Sequence, residues 1–492
     1  MEQTNAKNYG GALLTLVTVF FFWGFVAASN DILIPVFKEK LHLEQWMSQM
    51  ISFAFYVAYT VGSIIYFFVS KAIGQDVLNR YGYKNGIAVG LIISALGTLL
   101  FYPAAEDASF VLMISGLFIV GLGFSLQQIA ANTLVVALGD PKTGSQRLSL
   151  TGGVNNFGTT IGPLLVNLAI FGSVTGTKSV ADITAVKFPY LILGALFIVV
   201  AIIFKFSSVP NKIHGVNDDD IVPESDVTAT VKPSTTRSSA LSFPQLTLGM
   251  IAIFVYVGVE VSTASNLPAF MKDKLHTPTD MIAPFISLYW ASLMIGRWTA
   301  SVGAFNLGDG IKKVLALVTP YIAFVVFLIV NAIAHKDIAQ FYVYAIVIVA
   351  LIAANFLSKG NPARQLLIFS GCAITALFVG MLSSGMVSVF AFITVGLFCS
   401  TLWPCIYTLA VTGLGSHSNE GGSFLIMMIM GGGFISLLQG FLAGEHLLGI
   451  QWSYLVGVGC FLYLAFYAIK AKSALKEQGI DFDAVVAVKG GH

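Results

Sequence analysis

Glu260, in "YVGVEVSTASNLP", lies deep inside the apolar run 243–271 with no basic residue near it in the sequence. An ionised side chain at such depth costs roughly 3 kcal/mol or more unless something compensates it. A carboxylate there either takes up a proton or pairs with a cation, and both are the chemistry of an ion-coupling site. A second acid, Asp31 in "FWGFVAASNDILIP", ends the first apolar run. It has two readings: a helix-end acid at the interface, because Pro35 and Lys38 follow, or a partner of Glu260 in coupling. Amides form the next group: Asn30 beside Asp31, Gln127, Gln128 and Asn132 in "SLQQIAANTL", Asn155 and Asn156 in "LTGGVNNFGTTIGP", and Asn266 after Glu260. Gln128 and Asn132 are four residues apart and share one helix face. Facing lipid, those amides would lack partners, so the face belongs to the bundle interior or to a water-filled cavity. A single amide is as readily helix glue. The set, spread over four apolar runs, favours a shared polar cavity, with Trp403 and Tyr407 around Pro404 as aromatic walls. Arg297, in "IGRW", is expected to snorkel or to tie helix ends together.

Enzymatic chemistry has no such signature. GxxxxGK[ST], HExxH and GxSxG are absent, and the seven histidines fall in loops, helix ends or tails. Cys372, Cys399, Cys405 and Cys460 lie in apolar runs without paired spacing and read as small buried hydrophobes. No metal site, cofactor or catalytic residue is expected. Glycines such as Gly158–Gly162 and Gly431–Gly433 read as close helix contacts.

The elements that must carry these residues are membrane helices. Of 492 residues, 56% are hydrophobic and only 10% charged, against about one-quarter charged in soluble domains. The net charge of +2 is too small to argue for a nucleic-acid partner, so the bilayer is the expected environment. Runs long enough to span it, about 20 residues each, fall at roughly 11–36, 46–70, 86–104, 109–137, 149–172, 187–207, 243–271, 279–303, 314–334, 340–357, 365–384, 386–413, 421–444 and 452–471. The first is too long for the apolar core of a signal peptide and is expected to remain as a span. Fourteen spans are the expectation, and twelve plus a loosely placed pair the alternative. Polar residues over 208–240 form a linker, "NDDD", "PESD" and "KPSTTRSS" among them, leaving an N-terminal bundle over 1–207, a C-terminal bundle over 241–472 and a tail over 473–492. Lysines and arginines such as Lys71, Arg80, Lys142, Arg147, Lys312 and Lys359 gather on one side, which predicts both termini in the cytoplasm.

"ASNDILIPVF" in the first span is echoed by "ASNLPAF" in the seventh, as expected of two parallel repeats. With "QQIAANTL", "NNFG" and "GGSFLIMMIMGGG", the chain resembles the fucose/glucose/galactose symporter family of the major facilitator superfamily over nearly its whole length. The resemblance implies two six-helix bundles that rock around a central sugar site, driven by an ion gradient. The family's first-span acid falls on Asp31 and its fifth-span Asn on Asn155. Where proton-coupled fucose members carry a glutamate and a glutamine, this chain has Gln128 and Gly152. Glu260 stands where those members have a neutral polar residue, a pattern that resembles the glucose/galactose branch. Of the superfamily's basic loop, "NRYGYK" keeps Arg80, Gly82 and Lys84, with Asn79 in the usual Asp position. Relative to twelve-span members, about 341–384 looks inserted.

On these grounds the expected protein is an importer of a hexose, glucose or galactose before fucose, by cation-coupled symport in a bacterial-type inner membrane, as a monomer. Substrate contacts are assigned to Asn30, Asp31, Gln127, Gln128, Asn132, Asn155, Asn266 and Trp403, and coupling by H⁺ or Na⁺ to Asp31 and Glu260. The amides supply hydrogen bonds to hydroxyls and Trp403 a face for the sugar ring. Alternatives are an exporter or antiporter of drugs or organic ions, for which "GTTIGP" is a partial signature but the cavity is too polar, and a sugar sensor that does not transport.

Overall fold

A computed structural model describes residues 11–25, 45–138, 143–171, 187–207, 209–211, 239–277, 279–305, 307–444 and 446–483. Asn30 and Asp31 therefore lie outside the described residues, as do most of the linker and the end of the tail. The described chain is all-helical, without strands: α1 (Gly11–Phe25), α2 (Gln45–Ile73), α3 (Val77–Tyr81), α4 (Tyr83–Leu99), α5 (Phe101–Glu106), α6 (Phe110–Ala137), α7 (Gly144–Phe171) and α8 (Lys187–Phe206) form the first half. The second half holds α9 (Pro244–Leu275), α10 (Thr279–Ser301), α11 (Asp309–Ile333), α12 (Tyr344–Ser358), α13 (Pro362–Leu382), α14 (Gly385–Cys399), α15 (Leu402–Val411), α16 (Ser418–Met427), α17 (Gly431–Leu442), α18 (Gly449–Trp452) and α19 (Leu455–Glu477). Among the described residues ten helices are long and apolar enough to cross a membrane, and two apolar ones, Gly11–Phe25 and Tyr190–Phe206, are shorter. About ten to twelve spans thus meet the physical requirement.

Local chemistry sets several helix ends. The Asp76 side chain accepts from the Asn79 amide at 2.9 Å and starts α3, and Asn361 does the same for α13 through the Arg364 amide at 3.1 Å. Gly82, at φ +93°, joins α3 to α4, and a Cβ there would sit 2.1 Å from Asn211, so the turn accepts only glycine. With little hydrophobic drive between helices in lipid, small residues govern their approach. Thus a Cβ on Gly97 of α4 would meet the Gly116 carbonyl of α6 at 2.8 Å, and one on Gly431 would meet the Phe254 carbonyl of α9 at 2.0 Å. Gly432 also packs closely, whereas Gly433 borders open space.

The two halves meet along two antiparallel seams that share one end of the molecule. On the first, α7 runs against α10: Gln146 lies under Gly303, Gly153 accepts from Trp298, Asn156 from Arg297, and Thr160 reaches Met294. On the second, Asn419 at the start of α16 donates to Asp76 and Asn79, each at 3.0 Å, and accepts from the Tyr83 hydroxyl at 2.7 Å. Asn79, in the variant position of the basic loop, is thus an acceptor across the bundle seam.

Candidate functional site

The polar centre is built around Arg297, on the α10 seam. Two local features of the sequence bring it there. Pro404 has no amide hydrogen, so the carbonyl of Ser400, four residues earlier, loses its helical donor between α14 and α15. Gly296 lets α10 close on that break, since a Cβ there would sit 1.9 Å from the Ser400 hydroxyl. Arg297 Nε fills the vacancy, donating to the Ser400 carbonyl at 2.9 Å.

The rest of the guanidinium faces two ways. Nη2 lies 3.7 Å from Glu260 Oε1, in a pair whose side chains are only 12% and 14% exposed. Nη1 donates to Asn156 Oδ1 at 2.7 Å and to the Gly152 carbonyl at 3.4 Å, both on α7 of the other bundle. Gly152 keeps the path clear, because a Cβ there would stand 3.2 Å from the guanidinium. One α9 turn before Glu260, the Tyr256 hydroxyl donates to its carboxylate at 2.9 Å and accepts a long contact from Arg297 at 3.5 Å. Tyr289 of α10 donates to the Glu260 backbone carbonyl at 2.8 Å. So the embedded acid is paired with a cation, and the cation reaches across the seam.

Trp403 continues this surface. It is half-buried, its ring centroid 6.3 Å from Tyr256 and 6.1 Å from Tyr407, nearly stacked on the latter. The Tyr407 hydroxyl lies 3.1 Å from that of Thr133, next to Asn132 on α6.

The amides divide. Gln128 is half-buried and donates to the Tyr59 hydroxyl at 3.1 Å. Asn132 is 2% exposed. Asn155 donates to the Phe20 carbonyl of α1 at 3.0 Å, leaving its neighbour Asn156 to bind Arg297. Gln127 sits in a closed network, accepting from Trp23 Nε1 at 2.8 Å and donating to Ser94 at 3.0 Å, wholly buried. Asn266 donates to Ser262 of its own helix at 2.8 Å. The last two behave as helix glue in this conformation.

Arg297, Asn156, Tyr256 and Tyr59 are the polar neighbours that the sequence assignment omitted. Tyr256 and Glu260 are four apart on one helix, a legible signal. Pro404 four residues after Ser400 was another. Nothing local announced that Arg297, 37 positions beyond Glu260, would be its counter-ion.

Residues 13–358 match the family model of the Major Facilitator Superfamily. Over 471 residues the chain is 34% identical to the glucose/galactose transporter of Brucella abortus, covering 95% of this chain and 96% of that protein. It is 26% identical to the L-fucose-proton symporter of Escherichia coli, over 95% of this chain and 94% of the symporter. The crystal structure of the E. coli fucose:proton symporter superposes with a TM-score of 0.67 at 22% identity, over 93% of this chain and 98% of that one.

Proposed function

The chain belongs to the major facilitator superfamily, and from that premise we propose that it imports a hexose by cation-coupled symport, glucose or galactose before fucose. It is a transporter, not an enzyme. The observation that carries the coupling is Glu260, a carboxylate held at the bundle seam within reach of one arginine and one tyrosine. The sugar class is supported by the Brucella relative, at 34% identity over nearly the whole chain. Gln128, Asn132 and Asn155 on the first bundle and Trp403 on the second supply amides and an aromatic face for a pyranose. Asn30, Asp31, Gln127 and Asn266 complete the proposed substrate set; Gln127, Asn132 and Asn266, all buried here, take part after a rearrangement that frees their amides. Asp31 is the proposed second coupling acid.

Alternating access follows from the seams. Both run to one end, which the excess of lysine and arginine in its loops makes the cytoplasmic one. Loading of Glu260 by H⁺ or Na⁺ removes its claim on Arg297, and the bundles then separate at that end. Amide oxygens beside a fixed carboxylate also suit a hard cation, which keeps Na⁺ with H⁺ as the candidate driving ion. No organic cofactor is required. Both termini would lie in the cytoplasm of a bacterial-type inner membrane, and the working unit would be a monomer.

Fourteen spans remain our reading, with the added pair at Asp309–Ser358 rather than 341–384. In the first half, the third span α4 packs between α6 and α8. The second-half helix with those relations is α13, set against α14 and α19, with Gly380 under Phe392 and Gly457 under Leu377. Helices α11 and α12 lie outside that frame, joined to it mainly by a seam including Phe285, Phe327, Phe341 and Tyr344. The α11 residues Val314, Leu317, Val318, Val325 and Ile329 are exposed and suited to lipid.

Purified protein in liposomes, given glucose, galactose or fucose under an imposed Na⁺ or pH gradient, tests this function. Accumulation of glucose or galactose under one gradient supports it, and no gradient-driven uptake or counterflow of any of the three refutes it.

A further inference from the structure

We propose that Arg297 is a positioning residue that transmits the charge of Glu260 to the opposite bundle and so sets whether the two bundles stay closed at their shared end. The proposal rests on the reading of Glu260 as the coupling carboxylate. Four observations carry it. The guanidinium is nearly buried and contacts Glu260 on its own bundle. Its shortest hydrogen bond, 2.7 Å, goes to Asn156 of the other. The remaining acceptors, the Ser400 and Gly152 carbonyls and the Tyr256 hydroxyl, are neutral. Finally, its neighbour Trp298 donates to the Gly153 carbonyl, so two consecutive α10 side chains grip one turn of α7.

Glu260 is therefore the charge that makes Arg297 tolerable in this setting. Around the carboxylate stand the Tyr256 hydroxyl and the Arg297 guanidinium, with the Cys399 thiol close by. When a proton or Na⁺ neutralises Glu260, Arg297 is left as a buried cation with neutral partners only. An uncompensated buried charge is strongly unfavourable, and the guanidinium gains by moving to water. Reaching water requires letting go of Asn156 and Gly152, which opens the seam. The loaded cation thus removes one lock on opening to the cytoplasm, and the empty carboxylate keeps that end shut.

The test is a double-mutant cycle read by distance, not by transport. Spin labels at Tyr81→Cys and Ile311→Cys, both exposed and at the shared end, report closed and separated populations of the full chain by pulsed EPR. Glu260→Gln and Asn156→Ala are each expected to shift the ratio toward separation by about tenfold, the scale of a hydrogen bond to a charged group. Because both act through Arg297, the double variant should shift no further than the larger single one. If Glu260→Gln does not fold, Glu260→Ala replaces it, since it removes the same charge beside Arg297. Additive shifts, or no shift with the Glu260 variant that folds, would overturn the proposal. Sugar uptake is measured in parallel on the wild type. Non-additive shifts without any uptake would refute the transport reading and leave the role of Arg297 standing, whereas uptake with additive shifts would remove only that role.

Discussion

Asn156 on α7 accepts from Arg297 on α10 at 2.7 Å, and this bond joins the two bundles at the point where the buried acid sits. Most contacts along the seams are packing or single neutral hydrogen bonds, such as Thr160 with Met294 or Thr60 with the Met427 carbonyl. The Arg297 contact differs because the charge that holds it belongs to a second residue on the same bundle. A change at Glu260 is thereby felt on α7.

Pro404→Ala should slow transport without unfolding the protein. Alanine restores an amide that can claim the Ser400 carbonyl, in competition with Arg297 Nε. The helix break between α14 and α15 would heal and gain stability, while the guanidinium loses its fixed acceptor. We expect an unchanged or higher Tm together with a severalfold lower uptake rate, measured on the same preparation. A full rate would show that the freed carbonyl does not matter to Arg297.

Gln128→Ala should raise the apparent KM for sugar about fivefold or more, as loss of one buried hydrogen-bond partner costs about 1–3 kcal/mol. Tyr59→Phe, which removes the hydroxyl that holds Gln128 at 3.1 Å, should have a smaller effect in the same direction. Concentration dependence of initial uptake rates separates the two. Unchanged KM in both would move the sugar site away from this face of α6.

Gly158→Ala tests the packing that sets the angle of α1 on α7. A Cβ at that position would stand 2.4 Å from the Phe21 carbonyl, a backbone atom that cannot swing aside. Overpacking of this kind costs about 1–3 kcal/mol, so the Tm should fall by several degrees in thermal unfolding of the detergent-solubilised protein. An unchanged Tm would mean that α1 shifts freely on α7.

The helical class, close-packed glycines such as Gly158 and Gly431, and the placing of Glu260 inside an apolar helix were legible in the sequence because each is a local signal. An acid inside an apolar run or glycines spaced to let helices touch need no knowledge of what lies opposite. The partners were less legible. Gln127 and Gln128 are adjacent, yet one is locked between Trp23 and Ser94 and the other is half-exposed beside Tyr59. Their difference is one of helix rotation, about 100° between neighbours, which the pattern of an all-apolar helix leaves undetermined. Asn155 and Asn156 divide in the same way, and only the second meets Arg297. Arg297 itself read as a helix-end tie because it is near the end of α10. Its pairing with Glu260 depends on how α9 and α10 fold back on each other, and its reach to Asn156 depends on how the halves dock. Asn30 and Asp31, outside the described residues, remain assigned on the family pattern.

The central claim, that Glu260 couples a cation gradient to sugar movement, is tested most directly by comparing wild type with Glu260→Gln in proteoliposomes loaded for two assays. One measures uptake of labelled sugar against its gradient under an imposed Na⁺ or pH gradient, and the other measures counterflow with no ion gradient. The account predicts that the variant loses accumulation while keeping counterflow, because a permanently neutral side chain can no longer exchange a cation. Accumulation by Glu260→Gln equal to that of the wild type would contradict it.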